Sequence, residues 1–100
     1  MCIMLLAAFF QSCYKNPVAC FSISVNTDSI HVNQPVIFNG ECSLHASEYY
    51  WLFYTIKDTL IYYNPIDTVT FKDTGAVYIE LDVLNGSTFG SVYETIKVKP

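Results

Sequence analysis

From Pro17 onward the chain is a succession of short runs in which β-branched and aromatic residues alternate with polar ones, broken by turn chemistry at roughly eight- to twelve-residue spacing. No helical periodicity competes with this pattern. Val18 to Val25 predicts a first strand, with Ala19, Phe21 and Ile23 on one parity and Cys20, Ser22 and Ser24 on the other, before Asn26-Thr27-Asp28-Ser29 turns the chain. Ile30 and Val32 predict an edge piece. Asn33-Gln34-Pro35 interrupts it, and Val36 to Phe38 continue toward Asn39-Gly40, Pro35 suiting an edge or a strand start.

The heaviest strand is predicted over Glu48 to Ile56, where Tyr49, Trp51 and Phe53 share one face and Tyr50, Leu52, Tyr54 and Ile56 the other. Lys57-Asp58 forms a turn, Leu60 to Tyr63 a short strand, Asn64-Pro65 a corner, and Thr68 to Phe71 a brief peripheral piece. Val77, Ile79, Leu81 and Val83 alternate with Tyr78, Glu80, Asp82 and Leu84, as in a half-buried central strand ending at Asn85-Gly86. Thr88 to Lys99 supplies the last strand, its register open around Gly90 and Ser91. Seven or so strands without a helix predict an all-β sandwich. Parity places Phe21, Ile23, Val36, Phe38, Tyr49, Trp51, Phe53, Val77, Ile79, Leu81 and Val83 in its core, with Trp51 at the centre.

The N-terminus follows another rule. Ile3 to Phe10 is an uninterrupted apolar run, IMLLAAFF, followed by Gln11, Ser12 and Cys13. It is shorter than the ~20 residues a membrane-spanning helix needs but suits the apolar region of an export signal. Tyr14-Lys15-Asn16-Pro17 then breaks to polar chemistry. Ser12-Cys13 resembles the processing site of a lipoprotein signal, in which the cysteine is acylated and becomes the new N-terminus. The resemblance implies residues 1–12 as signal, 13–17 as linker and 18–100 as the folded domain, with Cys13 carrying lipid and Cys2 leaving with the signal. The alternatives are an export signal without lipidation and a buried N-terminal strand. Either export route leads out of the cytoplasm, and the lipid-anchored form is expected in the cell envelope, held at a membrane and facing the periplasm or the cell surface.

Export makes Cys20 and Cys42 a predicted disulfide, because antiparallel pairing of the first two strands lays the start of one beside the end of the other; the alternative is two free buried cysteines. Composition agrees with a packed domain: 52% of residues are hydrophobic, 16% aromatic and only 14% charged. A net charge of −4 with no arginine excludes the basic surface that nucleic acid requires.

The order and spacing of several motifs resemble a polycystic-kidney-disease (PKD) domain of the kind found in secreted Bacteroidetes-type proteins. They are Ala19-Cys20-Phe21, Val32-Asn33-Gln34-Pro35-Val36, Tyr49-Tyr50-Trp51-Leu52-Phe53, Asn64-Pro65, and Gly75 followed by Val77, Ile79, Leu81 and Val83. The likeness runs from Val18 to Val98. It implies an immunoglobulin-like β-sandwich of noncatalytic function, a spacer or binding module. The chain departs from the family at Leu52, where an acidic residue is usual, at Tyr54-Thr55-Ile56, which replaces a Gly-Asp-Gly turn, and at Val77, which stands where an aromatic is favoured.

Candidate chemistry is sparse. His31 and His45 are the only histidines, and Cys42 with His45 is a lone pair rather than a zinc spacing. Asp58, Asp67, Asp73 and Asp82 form no Asp-x-Asp cluster of the kind calcium favours. No serine occupies a Gly-x-Ser-x-Gly elbow. The reading is therefore a protein that is not an enzyme and holds no metal or cofactor. The remaining candidate is a contact surface on the outer parity of the Trp strand, Tyr50, Leu52, Tyr54 and Ile56, extended by Tyr62 or Tyr63, since contiguous exposed apolar residues mark interfaces. The alternative is that the linker or Thr68 to Phe71 folds over this stripe. The expected function is a lipid-anchored module binding an envelope protein or a glycan; a spacer or assembly subunit without its own ligand is the second reading.

Overall fold

A computed structural model describes residues 16–100, so the predicted signal and the lipidation residue Cys13 lie outside the described residues. Eight strands follow in order: β1 Ser22–Ile23, β2 Ile30–His31, β3 Pro35–Asn39, β4 Glu48–Tyr54, β5 Thr59–Tyr62, β6 Ile66–Thr70, β7 Gly75–Asn85 and β8 Thr88–Lys99. They form two sheets, one of three strands in the order β1-β3-β6 and one of five in the order β2-β8-β7-β4-β5. The fold is an immunoglobulin-like β-sandwich, with one strand more than the seven or so expected.

The extra strand comes from a change of sheet. The expected edge piece is β2, which leaves its sequence neighbours and pairs in parallel with the end of β8, Ile30 opposite Val98. Asn33 makes the crossing with φ 63, a left-handed conformation that asparagine tolerates, and its N–H donates to the Phe71 carbonyl at 2.8 Å. Gln34 braces the turn by accepting from the His31 N–H at 2.9 Å. Pro35 then opens β3 where a strand's first residue can lack a donor.

The first predicted strand is mostly irregular. Only Ser22 and Ile23 pair with β3, whereas Val18 bridges Leu44 and the Cys20 N–H donates to the Ser43 hydroxyl at 3.0 Å. This second attachment brings Cys20 and Cys42 together as a disulfide with Cα atoms 5.4 Å apart, within the span a disulfide bridges.

Thr68 to Phe71 is not peripheral. β6 pairs along all of β3, from Pro35 opposite Thr70 to Asn39 opposite Ile66, and drives Val69 and Phe71 into the core beside Val36 and Phe38. Between the sheets, Trp51 is fully buried. Its ring meets Phe21, Phe38 and Phe53, with centroids 5.3, 6.0 and 6.0 Å away. Its Nε1–H donates to the Asn64 carbonyl at 2.7 Å, so the indole's single polar group is satisfied. Gly40 makes room for it: a Cβ there would stand 3.1 Å from Trp51 Cζ2 and 3.2 Å from Leu81 Cδ2. Val36, Phe38, Phe53, Val77, Ile79, Leu81 and Val83 are buried as parity requires, while Phe21, Ile23 and Tyr49 are only partly buried against them.

Candidate functional site

The long hairpin of β7 and β8 sets the outer face of the five-stranded sheet. Its two strands stay in unbroken register from Gly75 opposite Val98 to Asn85 opposite Thr88. Gly86, with φ 64, supplies the left-handed residue of the two-residue connection. Because Val77, Ile79, Leu81 and Val83 point inward, Tyr78, Glu80, Asp82 and Leu84 must point outward. Pairing carries the same parity to Tyr54, Leu52, Tyr50 and Glu48 of β4 and to Thr95, Tyr93, Ser91 and Phe89 of β8.

This arrangement makes a row of tyrosines across three strands. Tyr54 lies beside Tyr78 with ring centroids 5.9 Å apart, and Tyr78 stacks on Tyr93 at 5.8 Å. All three are open to solvent, 37%, 43% and 52% exposed. A second aromatic pair stands further along β4, where Tyr50 meets Tyr63 edge-on at 5.6 Å. Along the strand the two groups are about 13 Å apart, four residues at roughly 3.3 Å each. A hollow of about 280 Å³ beside Tyr50 and Tyr63, reaching Ser47 and Pro65, extends the face toward the corner.

Carboxylates occupy the middle of the face. Glu80 lies between Leu52 and Tyr93, and Asp82 between Tyr50 and Ser91. Asp82 accepts from the Ser91 hydroxyl at 2.6 Å, Glu80 from Tyr54 at 3.4 Å, and Glu48 from Tyr50 at 2.7 Å. Burial, and then the neighbouring Asp82 carboxylate, hold Glu80 above the ordinary carboxylate range. The Tyr50 phenol is raised chiefly by its bond to Glu48, and that of Tyr54 by burial and then Glu80. The surface therefore offers hydrogen-bond acceptors set among aromatic rings.

Two residues expected on this face stand elsewhere. β4 ends at Tyr54, and the connection Thr55–Asp58 is closed by the Thr55 N–H donating to the Asp58 carbonyl at 2.9 Å. Ile56 therefore projects from the turn rather than from the sheet. The same connection sets Tyr62 opposite Trp51, on the inner side, with its ring 5.8 Å from Phe53. Ile61 and Tyr63 take the outward places on that edge, both exposed. Tyr78 and Tyr93 complete the row but were missing from the sequence expectation. Tyr78 was legible as the parity opposite Val77; Tyr93 depended on a β8 register that needs the hairpin.

The stripe is not covered by Thr68 to Phe71, which belongs to the opposite sheet. Residues 17–19 lie against Gly90, an inward position of β8 opposite Val83, and against Leu44.

The other candidates disperse. His31 is exposed, with Nδ1 3.1 Å from the Pro100 carbonyl oxygen, and His45 sits exposed in a loop at φ 57. Cys42 is committed to its disulfide. Asp67 accepts from the Asn64 backbone and side-chain amides at 3.1 Å, fixing the corner after β5, and Asp73 faces Lys57 at 3.6 Å. Among the described residues no three His, Cys, Asp or Glu side chains gather as a metal site.

No protein-family model and no curated protein matches the chain. Among solved structures, the chain is similar to carbohydrate-binding modules from the β-sandwich superfamily, described for their promiscuous specificity. The TM-score is 0.69 at 23% identity, over 86% of this chain and 35% of that one. The chain thus spans about a third of the structure it matches, and the likeness is one of fold.

Proposed function

We propose that this domain is a noncatalytic glycan-binding module whose contact surface is the outer face of the five-stranded sheet. The observation that carries the reading is the open tyrosine row Tyr54-Tyr78-Tyr93 with carboxylate acceptors beside it. Aromatic rings offer an apolar surface to the C–H face of a sugar, while carboxylates and phenols accept and donate to its hydroxyls. A sheet face held by an unbroken hairpin presents these groups with little ordering left to do on binding, which lowers its entropic cost. The fold shared with carbohydrate-binding modules supports this reading without assigning a ligand. A PKD-type lineage, lipid on Cys13 and residence in the cell envelope belong to the same proposal, with the domain displayed from a membrane.

Electrophoresis of the full chain through gels containing soluble neutral polysaccharides, such as xylan, glucomannan and mixed-linkage β-glucan, tests the reading. At least one polymer should retard the protein. A Tyr54→Ala, Tyr78→Ala, Tyr93→Ala variant that keeps the wild-type circular dichroism should migrate as if no polymer were present. Retardation by none of the polymers, or equal retardation of the variant, overturns it.

A further inference from the structure

The charge on the outer face carries the reading one step further. Glu80 and Asp82 are alternate residues of β7 on the same face, bordered by Tyr50, Leu52 and Tyr54 of β4 and by Tyr93 and Ser91 of β8. Glu48 adds a third carboxylate at the Tyr50 end. The lysines on this side of β8 stand far off: Lys97 is four residues beyond Tyr93, roughly 13 Å along the strand. That exceeds the screening length of about 8 Å at physiological ionic strength, so the lysine does not neutralise the centre of the face. A ligand lying across both aromatic groups must pass over two carboxylates that bond to hydroxyl groups and face no cation among the described residues.

Resting on the glycan-binding reading, we infer that Glu80 and Asp82 are specificity-determining residues that restrict the face to uncharged sugar chains, rejecting polymers that carry carboxylates or sulfates. A neutral chain offers hydroxyl donors to both carboxylates. An anionic chain places like charges above them, where the partly desolvated surface strengthens repulsion relative to bulk water. The aromatic span from the Tyr50–Tyr63 pair to the Tyr54-Tyr78-Tyr93 row suits a chain of several sugar rings rather than one. The same charges disfavour a second copy as occupant, because two such faces laid together would set carboxylates against each other in a molecule already at −4.

The test compares a neutral polysaccharide that retards the full chain with the same polymer oxidised at its primary hydroxyls to uronates. Wild type should bind the oxidised polymer at least about tenfold more weakly, and added salt should narrow the gap. In an E80Q/D82N variant, binding to the neutral polymer should fall a few fold while binding to the oxidised polymer rises, so that the ratio between them approaches one. Equal binding of both polymers by wild type, or an unchanged ratio in the variant, overturns the inference while leaving glycan binding standing. Failure of every neutral polymer to bind wild type removes both.

Discussion

Removing the indole of Trp51 tests the packing that holds the outer face of the five-stranded sheet in place. The ring is fully buried, touches three aromatic side chains from both sheets, and donates to Asn64 in the corner that follows β5. Trp51→Ala leaves a large void that the neighbouring β-strands cannot close, at a cost of about 3 to 5 kcal/mol. It also strips the Asn64 carbonyl of its partner. Trp51→Phe separates the two effects, since it keeps an aromatic ring but loses the donor. Its cost should be smaller, about 0.5 to 1.5 kcal/mol for a lost hydrogen bond whose acceptor belongs to the exposed Asn64, plus the smaller ring. For a domain of this size each kcal/mol moves the melting temperature by about 4 to 8 °C, so the alanine variant should melt roughly 12 to 40 °C lower. Urea unfolding followed by circular dichroism measures both variants without relying on tryptophan fluorescence. If both lie within about 1 kcal/mol of wild type, Trp51 is not the keystone described and the order of costs fails.

The Cys20–Cys42 bond closes a loop of sequence separation 22, and its removal by Cys20→Ser, Cys42→Ser should cost about 3 kcal/mol in the chain-entropy account. Reductant should lower the melting temperature of wild type toward that of the variant and leave the variant unchanged; equal melting of the two oxidised proteins counts against the bond. Glu80 gives a pH signature. Its folded-state pKa is raised, so its stabilising contribution is present below the ordinary carboxylate range and is lost as pH rises through the raised value. Glu80→Gln should therefore be at least as stable as wild type near pH 7 and lose that advantage as pH falls toward about 4.5; a gap that widens on acidification reverses the argument. For the proposed tether, mass spectrometry of membrane-fraction protein should find Cys13 as an acylated N-terminus, and a membrane product still beginning at Met1 excludes it.

Much of the sandwich is written in period-two alternation. The β4 and β7 cores follow directly from it, because a strand with one buried face repeats its apolar residues at every second place. What alternation lacks is a statement of which sheet a strand joins. Ile30 and Val32 look the same whether their neighbour is β3 or β8, and only the left-handed Asn33 and its bond to Phe71 divert the chain. Register across a connection is equally invisible. Lys57-Asp58 signals a turn, but the four-residue closure through Thr55 decides that Tyr62 faces Phe53 and Tyr63 faces Tyr50. The candidate face was legible for Tyr50, Leu52 and Tyr54, whose strand carries its own parity. It was not legible for Tyr93, whose place depends on how β8 returns along β7.

The disulfide also has a mechanical consequence. Cys20 and Cys42 enclose residues 21–41, and with them β1, β2 and β3, in a covalent ring. Tension entering the domain from its N-terminal side and leaving beyond β8 reaches Cys20, crosses the sulfur bridge and continues from Cys42, so the ring carries no load. The parallel β2–β8 pairing is then loaded from the β8 side alone, because β2 lies within the ring. While the bridge is oxidised, residues 21–41 add nothing to the extension under force. A module displayed from a membrane and held by a polysaccharide on its outer face would pass tension through β4, β7 and β8, the strands that carry the tyrosine row.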